Sequence, residues 1–183
     1  MTSQKTKIKL VFLIHENSSH SNLKAVQKAI EDHRIDAEIS LVVSDKDDLP
    51  TNLDQISPDY ICLAGWKKII PNELIDKYKI LNIHPGLIPD KVDGVILNPD
   101  DTLALWNRKK YADIAVENFL NQKYTYAGSS LHLLTKEFDF GPVLGRVFEK
   151  IESGDTVESL YARLKKKEND LYVEVLEKLC KTS

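Results

Sequence analysis

The stretch 80-ILNIHPGLIP-89 sets an amide and an imidazole two residues apart in an apolar run that breaks at Pro85-Gly86. In extended chain the side-chain period is two, so Asn82 and His84 point the same way. Such a pair suits work on a carbonyl. The amide donates to a developing oxyanion, and the imidazole titrates near neutral pH and moves protons. Asp139, in the turn 136-KEFDFG-141, could orient the imidazole or a water, or raise the imidazole's affinity for a proton. His132, in the run before that turn, would complete a polar cluster. Spacing alone also accommodates a hydrogen-bonded structural His and an ordinary turn Asp, since Asp favours turns.

These residues need a frame to hold them. Residues 7-KIKLVFLIHE-16 are rich in β-branched and aromatic side chains and predict a buried central strand. The segment 22-NLKAVQKAIEDH-33 follows with Leu23, Val26 and Ile30 at helical spacing. Strands are predicted over 37–43, 59–65 and 79–85, and a short helix over 71–78 opened by Pro71. The link 44–58 is polar, with at most a short helical turn. Residues 86–101 read as loop and 102–122 as helix. Strands over 126–135 and 142–151 and an amphipathic helix over 155–180, capped by Asp155 or Thr156, complete the chain. This alternation predicts an α/β fold, a doubly wound and mostly parallel sheet forming one domain over 1–183. In such a sheet ligands bind beyond the carboxyl ends of the strands. That rule selects the loop after the first strand, the turn 65-GWKKII-70, the end of 80-ILNIHP-85 and the turn 136–141.

Composition narrows the partners. With 42% hydrophobic and 29% charged residues the chain has the make-up of a globular protein. A net charge of −3 provides no overall basic field for nucleic acid or an anionic membrane. The run 165-KKK-167 reads as a solvated helix face. Cys62 and Cys180 lie in unrelated contexts and predict two separate thiols, and no Cys/His cluster has metal-ligand spacing. The opening MTSQKTKIKL lacks the apolar core of a signal peptide, and no stretch is apolar enough to span a bilayer. The expectation is a cytoplasmic protein without metal, membrane or nucleic-acid partner, either monomer or homodimer.

The succession of NIHP at 82–85, G-x-S-x-H at 128–132 and D-x-G-P at 139–142 resembles the folate-dependent formyltransferases, most of all those acting on glycinamide ribonucleotide. The resemblance implies a Rossmann-like formyltransferase fold. It implies transfer of a formyl group from 10-formyltetrahydrofolate, a cosubstrate, to a primary amine in purine biosynthesis. Carried onto this sequence, it makes Asn82 and His84 the oxyanion-stabilising groups and Asp139 the group that tunes His84 and handles protons. Lys67, Lys68, Ile69 and Ile70 match one wall of the folate pocket, and Phe138, Asp139 and Phe140 belong to the other, with Asn82 beside them. Ser19, His20, Ser21, Asn22, His132 and Glu168 match positions on the amine-substrate side. Glu168 also reads as an exposed helix Glu paired with a Lys at helical spacing.

The sequence departs from the family's pattern in three places. The family's phosphate loop reads GxGSNL; here 18-SSHSNL-23 keeps Ser21-Asn22-Leu23 but sets Ser18 and His20 at the glycine positions. Glycine there allows backbone N–H groups to approach a phosphate. The link between the second and third strands is shorter by about one strand-helix unit. The segment between Pro85 and Gly128 is longer, which predicts that 93–107 lies near the site. The altered loop admits another acceptor, such as an amino sugar nucleotide, and together with the shortened link it admits a non-catalytic folate-binding relic.

Overall fold

A computed structural model describes residues 7–109 and 112–181. In chain order the elements are β1 (Ile8–Ile14), α1 (Ser21–Glu31), β2 (Ala37–Ser44), α2 (Leu53–Ile56), β3 (Tyr60–Ala64), α3 (Asn72–Lys77), β4 (Ile80–His84), α4 (Ala112–Asn121), β5 (Tyr126–Leu133), β6 (Val143–Lys150) and α5 (Val157–Lys181). The six strands form one sheet in the order β2-β1-β3-β4-β5-β6. β1 pairs in parallel with β2 and with β3, while β5 and β6 are antiparallel. This is the α/β, mostly parallel sheet that the alternation of patterns predicts. Backbone contacts group the chain into two compact units, one comprising residues up to Leu81 with Val173 onward, the other Asn82–Tyr172.

In the first unit β1 is bordered by a strand on each side, so its run of Leu10, Val11, Phe12 and Leu13 is buried on both faces. β2, at the sheet edge, alternates buried and exposed positions instead. α1 buries Leu23, Val26 and Ala29, the stripe expected at 3.6 residues per turn. The shortened link from β2 to β3 contains only the single turn α2. Cys62 and Cys180 are buried thiols.

In the second unit Val116, Phe119, Ala127, Leu160 and Leu164 form a buried cluster from α4, β5 and α5. α5 begins at a reciprocal cap, in which Thr156 Oγ1 accepts from the Ser159 N–H and Ser159 Oγ accepts from the Thr156 N–H. Two of the orphan donors at a helix start are thereby satisfied.

The helix predicted over 102–122 needs correction. Among the described residues it runs only from Ala112 to Asn121. Residues 97–103 form a small turn instead, closed by a Leu97–Leu103 bridge and by the Asn98 amide, which donates to Thr102 Oγ1 and the Leu103 carbonyl. Asn107 and Lys109 then take left-handed backbone angles, with φ of 55° and 62°, which no α-helix can pass through. Local side-chain bonding to the backbone has displaced helix here. No described helix is long and apolar enough to cross a membrane.

Candidate active site

β4 presents Asn82 and His84 at its carboxyl end, and the Pro85-Gly86 break stops the strand there. His84 is 2% exposed. Its Nε2 donates to the Trp106 carbonyl at 2.8 Å, and its Nδ1 stands 3.5 Å from Asp139 Oδ1. The second distance is that of an ion pair rather than of a direct hydrogen bond. Asp139 sits in the turn between β5 and β6 with φ of 52°, a left-handed angle that Asp tolerates better than most side chains. Its Oδ2 accepts from the Lys109 backbone N–H at 2.6 Å. Burial alone would raise the Asp139 carboxyl, but the interaction with His84 and the Lys109 N–H outweigh it and hold the carboxyl below its usual range. The carboxylate is therefore charged at neutral pH.

Asn82 and His132 form a second layer. The Asn82 amide donates to His132 Nε2 at 3.2 Å, and His132 Nδ1 donates to the Leu133 carbonyl at 3.1 Å. His132 is thus neutral, with its proton on Nδ1. Burial, reinforced by the charge of His84, pushes it down to about 4. A register shift between Leu131 and His132 in the β5–β6 ladder aims this ring. The shift sits where Gly141 passes the chain so closely that a Cβ would lie 2.1 Å from the Leu133 carbonyl oxygen.

Three residues around this cluster were given no role of their own in the sequence, although Ser130 is the serine of the G-x-S-x-H motif and Trp106 falls in 93–107, the segment expected near the site. Trp106 accepts from His84 through its carbonyl and donates from Nε1 to the Asp139 carbonyl at 3.0 Å. Ser130 Oγ accepts from the Ile88 N–H and donates to the Gly86 carbonyl, tying the loop after β4 to β5. Gly86 lets the Trp106 carbonyl in, since a Cβ there would lie 1.9 Å from it. The signals available were a tryptophan in a polar stretch, a buried polar pair Ser129-Ser130 in an apolar strand, and a glycine directly after His84-Pro85. Reading 102–122 as helix hid the first.

The remaining candidates are spread over both units. In the second, Phe138 is exposed and Phe140 half-buried, with its ring 5.8 Å from that of Trp106. Phe140 also lines a groove of about 460 Å³ with Asp90, Thr135, Glu137, Gly141, Pro142 and Val143. Glu168 is buried, accepting from Ser129 Oγ at 2.6 Å and pairing with Lys165 at 2.9 Å. Its pairing with a Lys at helical spacing was expected; its burial was not. In the first unit Lys67, Lys68 and Ile69 are exposed and Ile70 is buried, with Lys68 donating to the Asp47 carbonyl. In the loop before α1 Ser19 is exposed. His20 takes φ of 53° and donates from Nε2 to the His15 carbonyl at 3.0 Å. Asn22 is buried, and the Ser21 hydroxyl is buried with no hydrogen-bond partner among the described residues. His15 pairs with Asp45 beside this loop.

The mostly parallel α/β sheet matches solved formyltransferase structures in fold. A glycinamide ribonucleotide transformylase from Symbiobacterium toebii superposes with a TM-score of 0.75 at 22% identity, over 96% of this chain and 89% of that one. A phosphoribosylglycinamide formyltransferase from Brucella melitensis superposes at 0.70 and 26% identity, over 96% of each chain. The formyl transferase family model matches residues 47–176, and the chain belongs to that family. A chloroplastic phosphoribosylglycinamide formyltransferase of Vigna unguiculata is 31% identical over 135 residues, 73% of this chain. The match spans 39% of that relative's own length. Asn82, His84, His132 and Asp139 lie inside the family match, and the loop at 18–23 lies ahead of it.

Proposed function

We propose that the chain transfers the formyl group of 10-formyltetrahydrofolate to the primary amine of glycinamide ribonucleotide. The observation that carries this reading is the charged Asp139 carboxylate 3.5 Å from a buried His84, with the Asn82 amide on the same strand, in a chain of the formyl transferase family. The amine nitrogen attacks the formyl carbon, forming a C–N bond and a tetrahedral intermediate with negative oxygen and positive nitrogen. The Asn82 amide donates to the oxygen and the positive charge of a protonated His84 favours it, both worth more in a buried site than they are in water. Asp139, kept charged by its surroundings, favours loss of the ammonium proton, directly or through a water. Breakage of the bond from carbon to the folate nitrogen, which takes up a proton, releases tetrahydrofolate and the formylated amine. Phe138 and Phe140 hold the folate in this reading. The half-buried Phe140 and its groove support the pterin side. Ser19, His20, Ser21 and Asn22 bind the acceptor's phosphate in this reading, supported by the Ser21 hydroxyl at the start of α1, which has no partner among the described residues.

The test is formyl transfer to glycinamide ribonucleotide by the native chain, His84→Ala and Asp139→Asn. Losses of about 10²- to 10⁴-fold in each variant are expected for removal of a proton-handling group. An active Asp139→Asn at native rate would refute the assigned roles. A different amine acceptor is the second reading, favoured by His20 and Ser18 at the loop's glycine positions. Saturable folate binding without turnover on glycinamide ribonucleotide, and turnover on an amino sugar nucleotide, would select it.

A further inference from the structure

We propose that Trp106 is the positioning residue of the His84–Asp139 pair: its carbonyl fixes which His84 nitrogen exchanges protons, and its indole N–H anchors the turn that aims Asp139. The proposal rests on the reading of His84 and Asp139 as the working pair.

A carbonyl oxygen only accepts, so the 2.8 Å contact with Trp106 requires a hydrogen on His84 Nε2. That nitrogen keeps its hydrogen in both charge states of the ring, because burial leaves no water to replace the carbonyl. Proton exchange is thereby confined to Nδ1, the nitrogen that faces Asp139. The same residue also holds the partner. Trp106 Nε1 donates to the Asp139 carbonyl at 3.0 Å, and the Lys109 N–H donates to Asp139 Oδ2 at 2.6 Å. Between them, Arg108 stacks 4.9 Å from the Trp106 ring centre, donates to the Phe138 carbonyl and pairs with Glu137. Residues 106–109 thus grip 137–139, up to and including the left-handed Asp139. Among the described residues His132 also faces the pair, its ring centre 6.4 Å from that of His84. Gly86 completes the device, since any side chain at that position would meet the Trp106 carbonyl.

The experiment is NMR of the full chain labelled with ¹⁵N and ¹³C, titrated from about pH 2 to about pH 9 across the carboxyl and imidazole ranges. In the wild type His84 Nε2 is expected to keep the shift of a protonated nitrogen throughout, with Nδ1 alone responding. A neutral ring protonated on Nδ1 would overturn the proposal without any variant. Trp106→Phe keeps the ring packing and removes the indole N–H. It is expected to move the titration of the Asp139 carboxyl carbon to higher pH. In the formyl-transfer assay it should lower kcat about tenfold, with KM changed less than about twofold. An unchanged Asp139 titration and an unchanged kcat in Trp106→Phe would also overturn it. Gly86→Ala should expel the carbonyl and leave the neutral His84 ring as a mixture of both protonation patterns. If that variant does not fold, the first two measurements still decide. A chain that transfers no formyl group but shows the expected NMR behaviour would retain the positioning role and discard the proposed activity.

Discussion

His132 ties stability to pH in a way that can be worked out from its surroundings. It is fully buried, accepts from Asn82 through Nε2 and is pushed down from 6.5 to about 4, first by burial and then by the charge of His84. Between those two values the unfolded chain binds a proton that the folded chain refuses. Stability therefore rises with pH across that window and is lost as pH falls from about 6.5 toward about 4. At 1.36 kcal/mol per pH unit the full loss is about 3 kcal/mol, a large part of an ordinary domain's stability. For a chain of this size it corresponds to a Tm lower by about 10 °C. The assay is urea unfolding followed by circular dichroism in steps from about pH 7 to about pH 4.5, on the native chain and on His132→Gln. Gln keeps an oxygen acceptor for Asn82 but cannot take up the proton. The native chain should lose most of the 3 kcal/mol over this range, and the variant should be flatter by that amount. Parallel curves would refute the argument, because the acid sensitivity would then reside in other groups.

Three further outcomes follow from particular contacts. Glu168→Ala leaves the Ser129 hydroxyl and the Lys165 ammonium without their shared buried acceptor. It should cost about 3 kcal/mol in chemical unfolding, while Glu168→Gln, which keeps an oxygen for Ser129, should cost less. Gly128→Ala would bring a Cβ within 2.8 Å of Leu87 and of the Val147 carbonyl, and about 1–3 kcal/mol of overpacking is expected in thermal melts. Thr156→Ala removes the side-chain acceptor at the start of α5 and should lower stability by about 1 kcal/mol, with Thr156→Ser close to native.

Much of the frame was legible in the sequence because local pattern and tertiary context agree. β1 reads as a buried strand from its β-branched run, and it lies between two parallel neighbours that bury both faces. Asn82 and His84 were legible as a pair because the strand period is two and both sit where the strand must stop, at Pro85. Asp139 stood out as an acid in a turn. That His132 would be neutral was not legible, since it depends on complete burial and on a charged neighbour distant in sequence. Nor was the burial of Glu168, because a Glu one turn from a Lys looks the same in sequence whether or not β5 covers it.

The segment 102–109 marks the boundary most clearly. Its composition is that of a helix, yet its backbone is set by Asn98 and by two left-handed residues, and it delivers the Trp106 carbonyl to His84. By itself the sequence determined the order of strands and helices, the α/β class and the identity of the polar groups at the strand ends. These depend on periodicity and side-chain chemistry within a few residues. Tertiary structure alone decided which nitrogen of His84 carries its fixed proton, which way Asp139 faces and that Gly86 must lack a side chain. Each of those depends on a distance between atoms remote in sequence, and hydrogen bonds and close packing change sign over less than an ångström.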